Sequence, residues 1–286
     1  MKAAVQAPPS AVGIDLAKWN WKVVRQFIAQ RTGQRLSRST CLRYLHRLDF
    51  VLKRPKKRLL KADPAKQAAF VDQYVALLIE AEFTKAKIFF VDEAHFRADG
   101  DLRGKWVLKG EAALVDSLCP RWGEKASYYS AVCLETGEVE VMDLAGNSTA
   151  ETSTTFLQQV RAKHAEPLIV IWDNAPAHGG EALRHYLRTP DLHLRLVRLP
   201  GYSPEFNADE AIWDWAREEV TANTCLGTKT KVQAKLTAFF AGLAERTAEV
   251  KRRCRTELQA RAAALMTAVA ETLQEPTHVD PTCALV

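Results

Sequence analysis

Residues 86–96, AKIFFVDEAHF, carry the pattern that decides the fold class of this chain. A continuous apolar run of this kind is typical of a strand buried on both faces, and here it ends in carboxylates. Residues 167–174, PLIVIWDN, repeat the pattern and place Asp173 at the end of a second apolar strand. Because an ionised carboxylate is costly to bury without a partner or a cation, Asp92 and Asp173 are candidate site residues.

Strand and helix patterns alternate on either side of these two stretches. Further strands are expected at 104–110, 125–134, 139–144 and 192–199, and helices at 151–164 and 179–188. The segment DEAIWDWAREEV begins at Asp209 and predicts another helix, with Trp213 and Trp215 as apolar anchors. We also expect Trp106, in the first of these further strands, to lie in the core. Strands mixed with helices in this order predict an α/β fold.

Three acidic residues lie where a strand ends or a helix begins: Asp92, Asp173 and Glu210. Carboxylates that converge at one edge of a mixed sheet form an oxygen-ligand site suited to Mg²⁺ or Mn²⁺. Two such ions ~3.5–4 Å apart can support phosphoryl transfer. Each carboxylate also has a structural interpretation. Asp92 can cap a turn, Asp173 and Asn174 can form one, and Asp209 or Glu210 can favour a helix N-terminus through its dipole.

The charge of the chain is divided unevenly along its length. Residues 1–66 hold 16 Lys and Arg against 3 Asp and Glu, a net of +13, whereas the remaining 220 residues hold 24 against 31, a net of −7. This division indicates a polyanion-binding head on a mildly acidic body. With 47% hydrophobic residues, the chain has enough apolar side chains for a sizeable core, which argues against wholesale disorder.

Two further function classes are disfavoured by composition. No run approaches ~18 uninterrupted apolar residues, so we expect no membrane helix and no membrane partner. The six cysteines form no C-x-x-C pair, which argues against a zinc knuckle, and the N-terminus lacks a convincing secretory signal. Reduced thiols and a cytoplasmic location are therefore expected.

The basic head has the pattern of a helix-turn-helix. Apolar residues recur at helical spacing over 18–30, Gly33 follows as a stop, and Ser37 caps a second helix that runs to Leu48. A short cationic segment from Phe50 then predicts a wing. The DNA-binding interpretation uses cations and one serine on the outer side of the second helix and in the wing: Arg38, Ser39, Arg43, Arg47, Lys53, Arg54, Lys56, Lys57 and Arg58. The alternative is an ordinary amphipathic helix pair with a solvated outer face.

Several motifs together resemble a known family. VDEAHF (91–96), WDNAPAH (172–178) and LPGYSPEFNADEAIW (199–213) are similar to the three blocks of a DDE transposase. GKWVLKGE (104–111) and the head segment FVLKRPKK (50–57) resemble the bacterial insertion-sequence branch of the mariner-type superfamily. The resemblance covers roughly residues 16–225.

The resemblance implies both a fold and a chemistry. It implies a ribonuclease-H-like mixed five-stranded sheet flanked by helices, preceded by a small all-α winged helix-turn-helix domain. Asp92 and Asp173 match the two catalytic aspartates and Glu210 matches the third acid, with 36 residues between the last two. The family uses two divalent ions, usually Mg²⁺. Water attacks at the transposon end, and the freed 3′-hydroxyl then attacks target DNA without a covalent protein intermediate.

Accessory residues and partners follow from the same resemblance. Asp209 is an alternative third ligand, because the start of its helix is uncertain by a few residues from sequence. His178 can contact phosphate, orient Asp173 or only pack at a helix start, and Asn174 can lie near the metals or form a turn. Adjacent strand residues point to opposite faces, so Glu93 should face away from the metals. DNA is the expected partner, and the paired-end reaction implies a dimer in the DNA complex.

The expected organisation has five parts: a winged helix-turn-helix domain (1–62), a helical linker (63–84), the DDE catalytic domain (85–228), a helical extension (229–273) and a disordered tail (274–286). Members of this branch commonly carry two helix-turn-helix units, and residues 1–62 suffice for one. Two other functions therefore stand beside the transposase: a ribonuclease-H-like DNA nuclease without strand transfer, and an inactive DNA-binding remnant.

Overall fold

The computed structural model of the chain describes residues 1–53, 59–118 and 125–274, with side chains up to residue 271. It divides the chain into two compact units, Met1–Arg58 and Leu59–Val286.

The first unit is helical in its described residues. Its elements are α1 (Lys2–Gln6), a 3₁₀ turn (Pro9–Val12), α2 (Trp21–Thr32) and α3 (Arg38–Arg47). The Asn20 side chain caps α2 by accepting from two backbone N–H groups, and Gly33, at φ 73°, ends it in the left-handed region. Ser37 caps α3. The predicted helix-turn-helix is therefore present, and α2 begins three residues later than expected.

The predicted wing is described only in part. Residues 51–53 belong to no helix or strand, and Leu52 and Lys53 are exposed. The DNA contacts predicted for Arg54, Lys56, Lys57 and Arg58 lie outside the described residues, as does nearly all of the tail predicted at 274–286.

The second unit is built on a mixed five-stranded sheet, as predicted. Its strands are β1 (Lys87–Arg97), β2 (Lys125–Cys133), β3 (Val139–Leu144), β4 (Leu168–Trp172) and β5 (Leu194–Arg198). They lie in the order β3-β2-β1-β4-β5. The first three strands pair antiparallel, while β4 runs parallel to both β1 and β5.

Helices cover both faces of this sheet. They are α4 (Pro64–Thr84), α5 (Ala150–Lys163), α6 (Glu181–Tyr186), α7 (Glu210–Ala216), α8 (Lys229–Gly242), α9 (Thr247–Arg253) and α10 (Glu257–Gln274). A π-helical turn, Arg217–Thr221, extends α7, and short 3₁₀ turns occur at Pro176–His178, Pro204–Phe206 and Leu243–Glu245. No helix in the described part of the chain is both long and apolar enough to cross a membrane.

Two hydrophobic cores form, one on each face of the sheet, because successive side chains of the central strand β1 point to opposite faces. Phe90 joins the cluster formed with α4 and α7 to α10, whereas Phe89 joins the cluster formed with α5 and α6. The same alternation directs Asp92 toward the face of Phe90 and Glu93 toward the opposite face. Because both faces are covered, β1 and β4 can be apolar almost throughout, as the sequence pattern indicated.

Helix α4, which we expected to be a linker, packs into the core of the second unit. Phe70 stacks on Phe206 at 6.4 Å between ring centroids, and Tyr74 contacts Phe90 at 5.8 Å. The apolar spacing that predicted this helix therefore marks the side on which it packs against the rest of the second unit.

The strand predicted at 104–110 is absent. These residues have no regular secondary structure, and Trp106, predicted to be in the core, is fully exposed. Among the described residues, no strand pairs with this segment. Trp213 and Trp215 are buried as predicted.

We predict that Phe70→Ala lowers the free energy of unfolding of the second unit by about 3–5 kcal/mol, because it leaves a cavity beneath Phe206. Phe83→Ala on the same helix is the matched control: its ring is 89% exposed, against 4% for Phe70, and should cost no more than about 0.5 kcal/mol. Denaturant unfolding followed by tryptophan fluorescence measures both. Equal losses would contradict the packing of α4 on the sheet.

Candidate active site

The parallel pairing of β1 with β4 brings two of the predicted carboxylates to the same level. Phe90 lies opposite Ile171, and continuing this register by two residues sets Asp92 opposite Asp173. Both side chains line one open cleft of about 410 Å³. Glu210, the first residue of α7, lines the same cleft. The three acids that the sequence placed on separate elements therefore share one cavity.

A buried asparagine positions the loop that carries Glu210. The Asn207 side-chain amide donates to the backbone carbonyl of Val91 at 3.0 Å, directly before Asp92 in β1. Its carbonyl oxygen accepts from the N–H of Asp209 at 3.2 Å. Asn207 thus ties the start of α7 to the strand that carries Asp92.

Helix α4 holds the same loop from the other side. The Gln67 amide donates to the Ser203 hydroxyl at 2.9 Å and to the Glu205 carboxylate at 2.7 Å. Gln67 and Ser203 are both buried, so the bond between them forms away from solvent, whereas Glu205 is exposed. Together with the stacked Phe70 and Phe206 rings, they secure the loop that forms one wall of the cleft.

Asp173 is held in place by several donors. Its Oδ1 accepts from the N–H of Ala175 at 2.9 Å and lies 2.8 Å from His178 Nδ1. The Arg198 guanidinium donates to the Asp173 backbone carbonyl at 2.7 Å and also to the carbonyl of His178. Burial acts to raise the pKa of Asp173, but His178, the Ala175 N–H and Arg198 together outweigh it and hold that pKa below its ordinary value.

Asn174 has a structural contact at the edge of the cleft. Its amide donates to the Leu199 carbonyl at 2.6 Å and so joins the chain leaving β4 to the chain leaving β5. The residue lines the cleft, but its side-chain amide is engaged in this bond.

The electrostatics of the cleft favour a cation. Burial raises the pKa of Asp92 well above its ordinary value, and repulsion by Glu210, Asp209 and Glu93 adds to this effect. The walls of the cleft partly shield Glu210 from water and so raise its pKa, although the residue keeps an exposed surface. A divalent cation would relieve this repulsion, and the all-oxygen donor set suits Mg²⁺ or Mn²⁺. Within the described residues, no group of three or more His, Cys, Asp or Glu side chains lies close enough together to hold a metal ion as the side chains stand.

Asp209 and Glu210 occupy different environments. Asp209 is fully buried and accepts a hydrogen bond from the Ser130 hydroxyl on β2, whereas Glu210 is exposed on the cleft. Burial raises the pKa of Asp209 well above its ordinary value, although the Ser130 bond opposes the shift. Asp209 does not line the cleft, so its position favours Glu210 as the third acid.

Sequence reasoning missed the residues that support these carboxylates. Asn207 lies inside the quoted motif, but its bond to Val91 joins residues 116 positions apart. Arg198, Gln67 and Ser130 carry no local signal, because their partners are distant in the chain.

The predicted DNA surface of the first unit is exposed along α3. Arg38, Arg43 and Arg47 are solvent-accessible, and so is Lys53 beyond the helix. Ser39 is also exposed, but its hydroxyl lies 2.9 Å from the Ser37 hydroxyl at the helix cap.

A further group of cations surrounds Trp21 at the start of α2. The charged groups of Arg25, Arg38 and Lys22 lie 4.9, 5.9 and 5.8 Å from its ring centroid. Such contacts hold cationic side chains over the aromatic face. Sequence reasoning confined the basic surface to α3 and the wing, whereas the structure extends it onto α2.

We predict that Asn207→Ala lowers the free energy of unfolding by about 1–3 kcal/mol, because the buried carbonyl of Val91 loses its donor. Glu181→Gln, an exposed carboxylate outside the cleft, is the control and should change it by no more than about 0.5 kcal/mol. Denaturant titration in the presence of a chelator measures both variants. Wild-type stability in Asn207→Ala would contradict the anchoring role.

Comparisons with known proteins agree with this geometry. Residues 87–233 match the model of the DDE superfamily endonucleases, and residues 17–74 match that of a winged helix-turn-helix. No curated protein sequence matches the chain.

Solved structures of the mariner transposase Mos1 have a similar fold. The Mos1 paired-end complex with Mg aligns with a TM-score of 0.65 at 17% identity, over 94% of this chain and 78% of that one. The Mos1 strand transfer complex aligns with a TM-score of 0.61 at 16% identity, over 92% and 77%. These alignments confirm the predicted ribonuclease-H-like fold. Because one family model spans more than half of its residues, the chain belongs to the DDE superfamily endonucleases, with a winged helix-turn-helix region ahead of the endonuclease domain.

Proposed function

We propose that this protein is the transposase of a bacterial insertion sequence. It cleaves a phosphodiester at the transposon ends and transfers the freed 3′-hydroxyl into target DNA. One observation carries the proposal: Asp92 on β1 and Asp173, directly after the adjacent parallel strand β4, share a single cleft with Glu210. The similarity in fold to Mos1 complexes captured with paired ends and after strand transfer supports the same reaction.

Asp92, Asp173 and Glu210 would hold two divalent ions, Mg²⁺ or Mn²⁺. When bound, such ions activate the attacking hydroxyl and stabilise the leaving oxygen. The chain itself supplies the geometry: Arg198 and the Ala175 N–H hold the segment around Asp173, and Asn207 holds the start of α7. No protein nucleophile is required, because the attacking groups are water and the DNA 3′-hydroxyl.

The first unit would hold the DNA. Exposed cations on α3 would meet the groove and the phosphates, and the cations around Trp21 would add phosphate contacts. Two copies of the chain would act together, because the reaction joins two transposon ends to one target.

The deciding experiment uses pre-cleaved transposon ends and a supercoiled target plasmid with Mg²⁺. Joined products support the transposase. Hydrolysis without joining would instead identify a ribonuclease-H-like nuclease. DNA binding without any metal-dependent cleavage would identify an inactive remnant.

We predict that Asp92→Asn, Asp173→Asn and Glu210→Gln each reduce cleavage by about 1,000-fold or more, since each removes several kcal/mol of charge stabilisation. Affinity for the DNA ends should change by less than about threefold, because phosphate contacts on the head supply most of the binding. Gel-based cleavage and fluorescence anisotropy measure the two effects. Glu181→Gln, an exposed carboxylate outside the cleft, is the control and should cleave normally.

For the head, we predict that Arg43→Ala weakens DNA binding and reduces the slope of log K against log salt concentration by about 0.9. The loss of one cation–phosphate contact is the reason. Anisotropy titrations between low and moderate salt measure the slope. Arg188→Ala, an exposed arginine on the second unit, should leave it unchanged. The head is not the DNA contact if Arg43→Ala binds with the wild-type slope.

A further inference from the structure

We propose that Glu93 is a positioning residue for the metal site and that it acts on Asp173 through His178. The inference rests on the proposed metal-binding role of Asp173. It assigns a function to a carboxylate that faces away from the cleft.

His178 lies between two carboxylates. Its Nδ1 is within hydrogen-bond distance of Asp173 Oδ1, at 2.8 Å, and its Nε2 is 3.0 Å from Glu93 Oε2, a close polar contact that lacks hydrogen-bond geometry. The imidazole is fully buried and stacks on the Trp172 ring at 3.9 Å between centroids. Each ring nitrogen thus faces a carboxylate, and one face of the ring lies on Trp172. These three contacts together fix the orientation of the imidazole.

The alternation of β1 makes this arrangement possible. Asp92 enters the cleft directly, while its neighbour Glu93 leaves from the opposite face of the strand. On that face it meets the 3₁₀ turn that follows β4 and ends at His178. Strand β1 therefore places the Asp92 carboxylate in the cleft, and its next residue, Glu93, supports the Asp173 carboxylate through the His178 imidazole.

Hydrogen bonds from neighbouring side chains hold both Glu93 and the turn that carries His178. The Ser148 hydroxyl donates to Glu93 Oε1 at 3.4 Å, and the Ser153 hydroxyl donates to the backbone carbonyl of Ala177 at 3.1 Å. Arg198 donates to the backbone carbonyls of Asp173 and His178. The turn that carries His178 is thus held to α5 and to β5.

The consequence for Asp173 concerns its two oxygens. Oδ1 is engaged twice, by His178 and by the Ala175 N–H, so Oδ2 is the oxygen available to a cation in the cleft. If Glu93 is removed, His178 loses the contact at Nε2 and can rotate or shift within its pocket. Asp173 then loses the fixed orientation that a ligand needs, since outer contacts of this kind orient the groups that bind metals.

A purely structural role for Glu93 gives a different expectation. A carboxylate that only fills space or stabilises the turn should affect unfolding and leave metal affinity intact. Glu140 provides a matched comparison, because it is also a carboxylate beside a histidine, with Oε1 3.7 Å from His164 Nε2. Unlike His178, the His164 ring contacts Lys87 and Phe89, neither of which lines the cleft.

The test is direct titration of the full-length chain with Mn²⁺ without DNA, followed by electron paramagnetic resonance. Glu93→Ala should weaken Mn²⁺ binding by about 10–100-fold, as is typical when a supporting contact of a metal ligand is lost. Glu93→Gln keeps the volume and a carbonyl oxygen opposite His178 Nε2, and should retain affinity to within about threefold of wild type. Glu140→Ala should bind Mn²⁺ as wild type does.

Thermal unfolding in the presence of a chelator monitors the fold of each variant. The proposal is overturned if folded Glu93→Ala binds Mn²⁺ with wild-type affinity, if Glu140→Ala weakens binding equally, or if the wild-type chain binds no Mn²⁺. If Glu93→Ala does not fold, the double variant Glu93→Gln/His178→Ala takes its place. Wild-type Mn²⁺ affinity in the folded double variant would also overturn the proposal. Weakened binding in Glu93→Ala alone, in a protein that neither cleaves nor joins DNA, would support the positioning role while rejecting the transposase.

Discussion

The register between β1 and β4 is the constraint on which the rest of the catalytic unit depends. Because the two strands run parallel and Phe90 faces Ile171, Asp92 and Asp173 end their apolar runs side by side. A shift of one residue would turn Asp92 toward the opposite face and place Glu93 in the cleft. The two cores enforce the register, since the same shift would also exchange the side chains packed on each face.

Grouping these carboxylates is electrostatically unfavourable, and the surrounding structure is arranged to hold them. Burial and mutual repulsion raise the pKa of Asp92, whereas donors around Asp173 lower its pKa. Glu210 is kept near the two aspartates by hydrogen bonds between neutral groups, chiefly the bond from the Asn207 amide to the Val91 backbone carbonyl before Asp92. The fold thus supplies an unfavourable cluster of negative charge that a divalent cation would stabilise.

Much of the fold could be predicted from local patterns, with two instructive failures. The apolar runs before Asp92 and Asp173 identified the central strands, because strands covered on both faces must be apolar on both. Residues 104–110 have a strand-like composition, but no strand in the described part of the chain pairs with them. Helix α4 was recognised as a helix, but which surface it covers depends on Phe206, far along the chain. Local pattern predicts element type, whereas pairing and packing depend on distant residues.

The sequence by itself determined which residue types could form the site: two aspartates after apolar runs, an acid at a helix start, and a head rich in cations. It placed Asp92 at the end of its strand, whereas β1 continues to Arg97 because β2 pairs with it that far. Only the tertiary structure separated Asp209 from Glu210, because the direction of a side chain at a helix start depends on how the helix is anchored. Only the tertiary structure joined Glu93 to Asp173 through His178. Glu93 leaves β1 on the face opposite the cleft, and it meets His178 in a turn about 80 residues further along the chain. Such contacts exist once the sheet register is set, and no local pattern of residues encodes them.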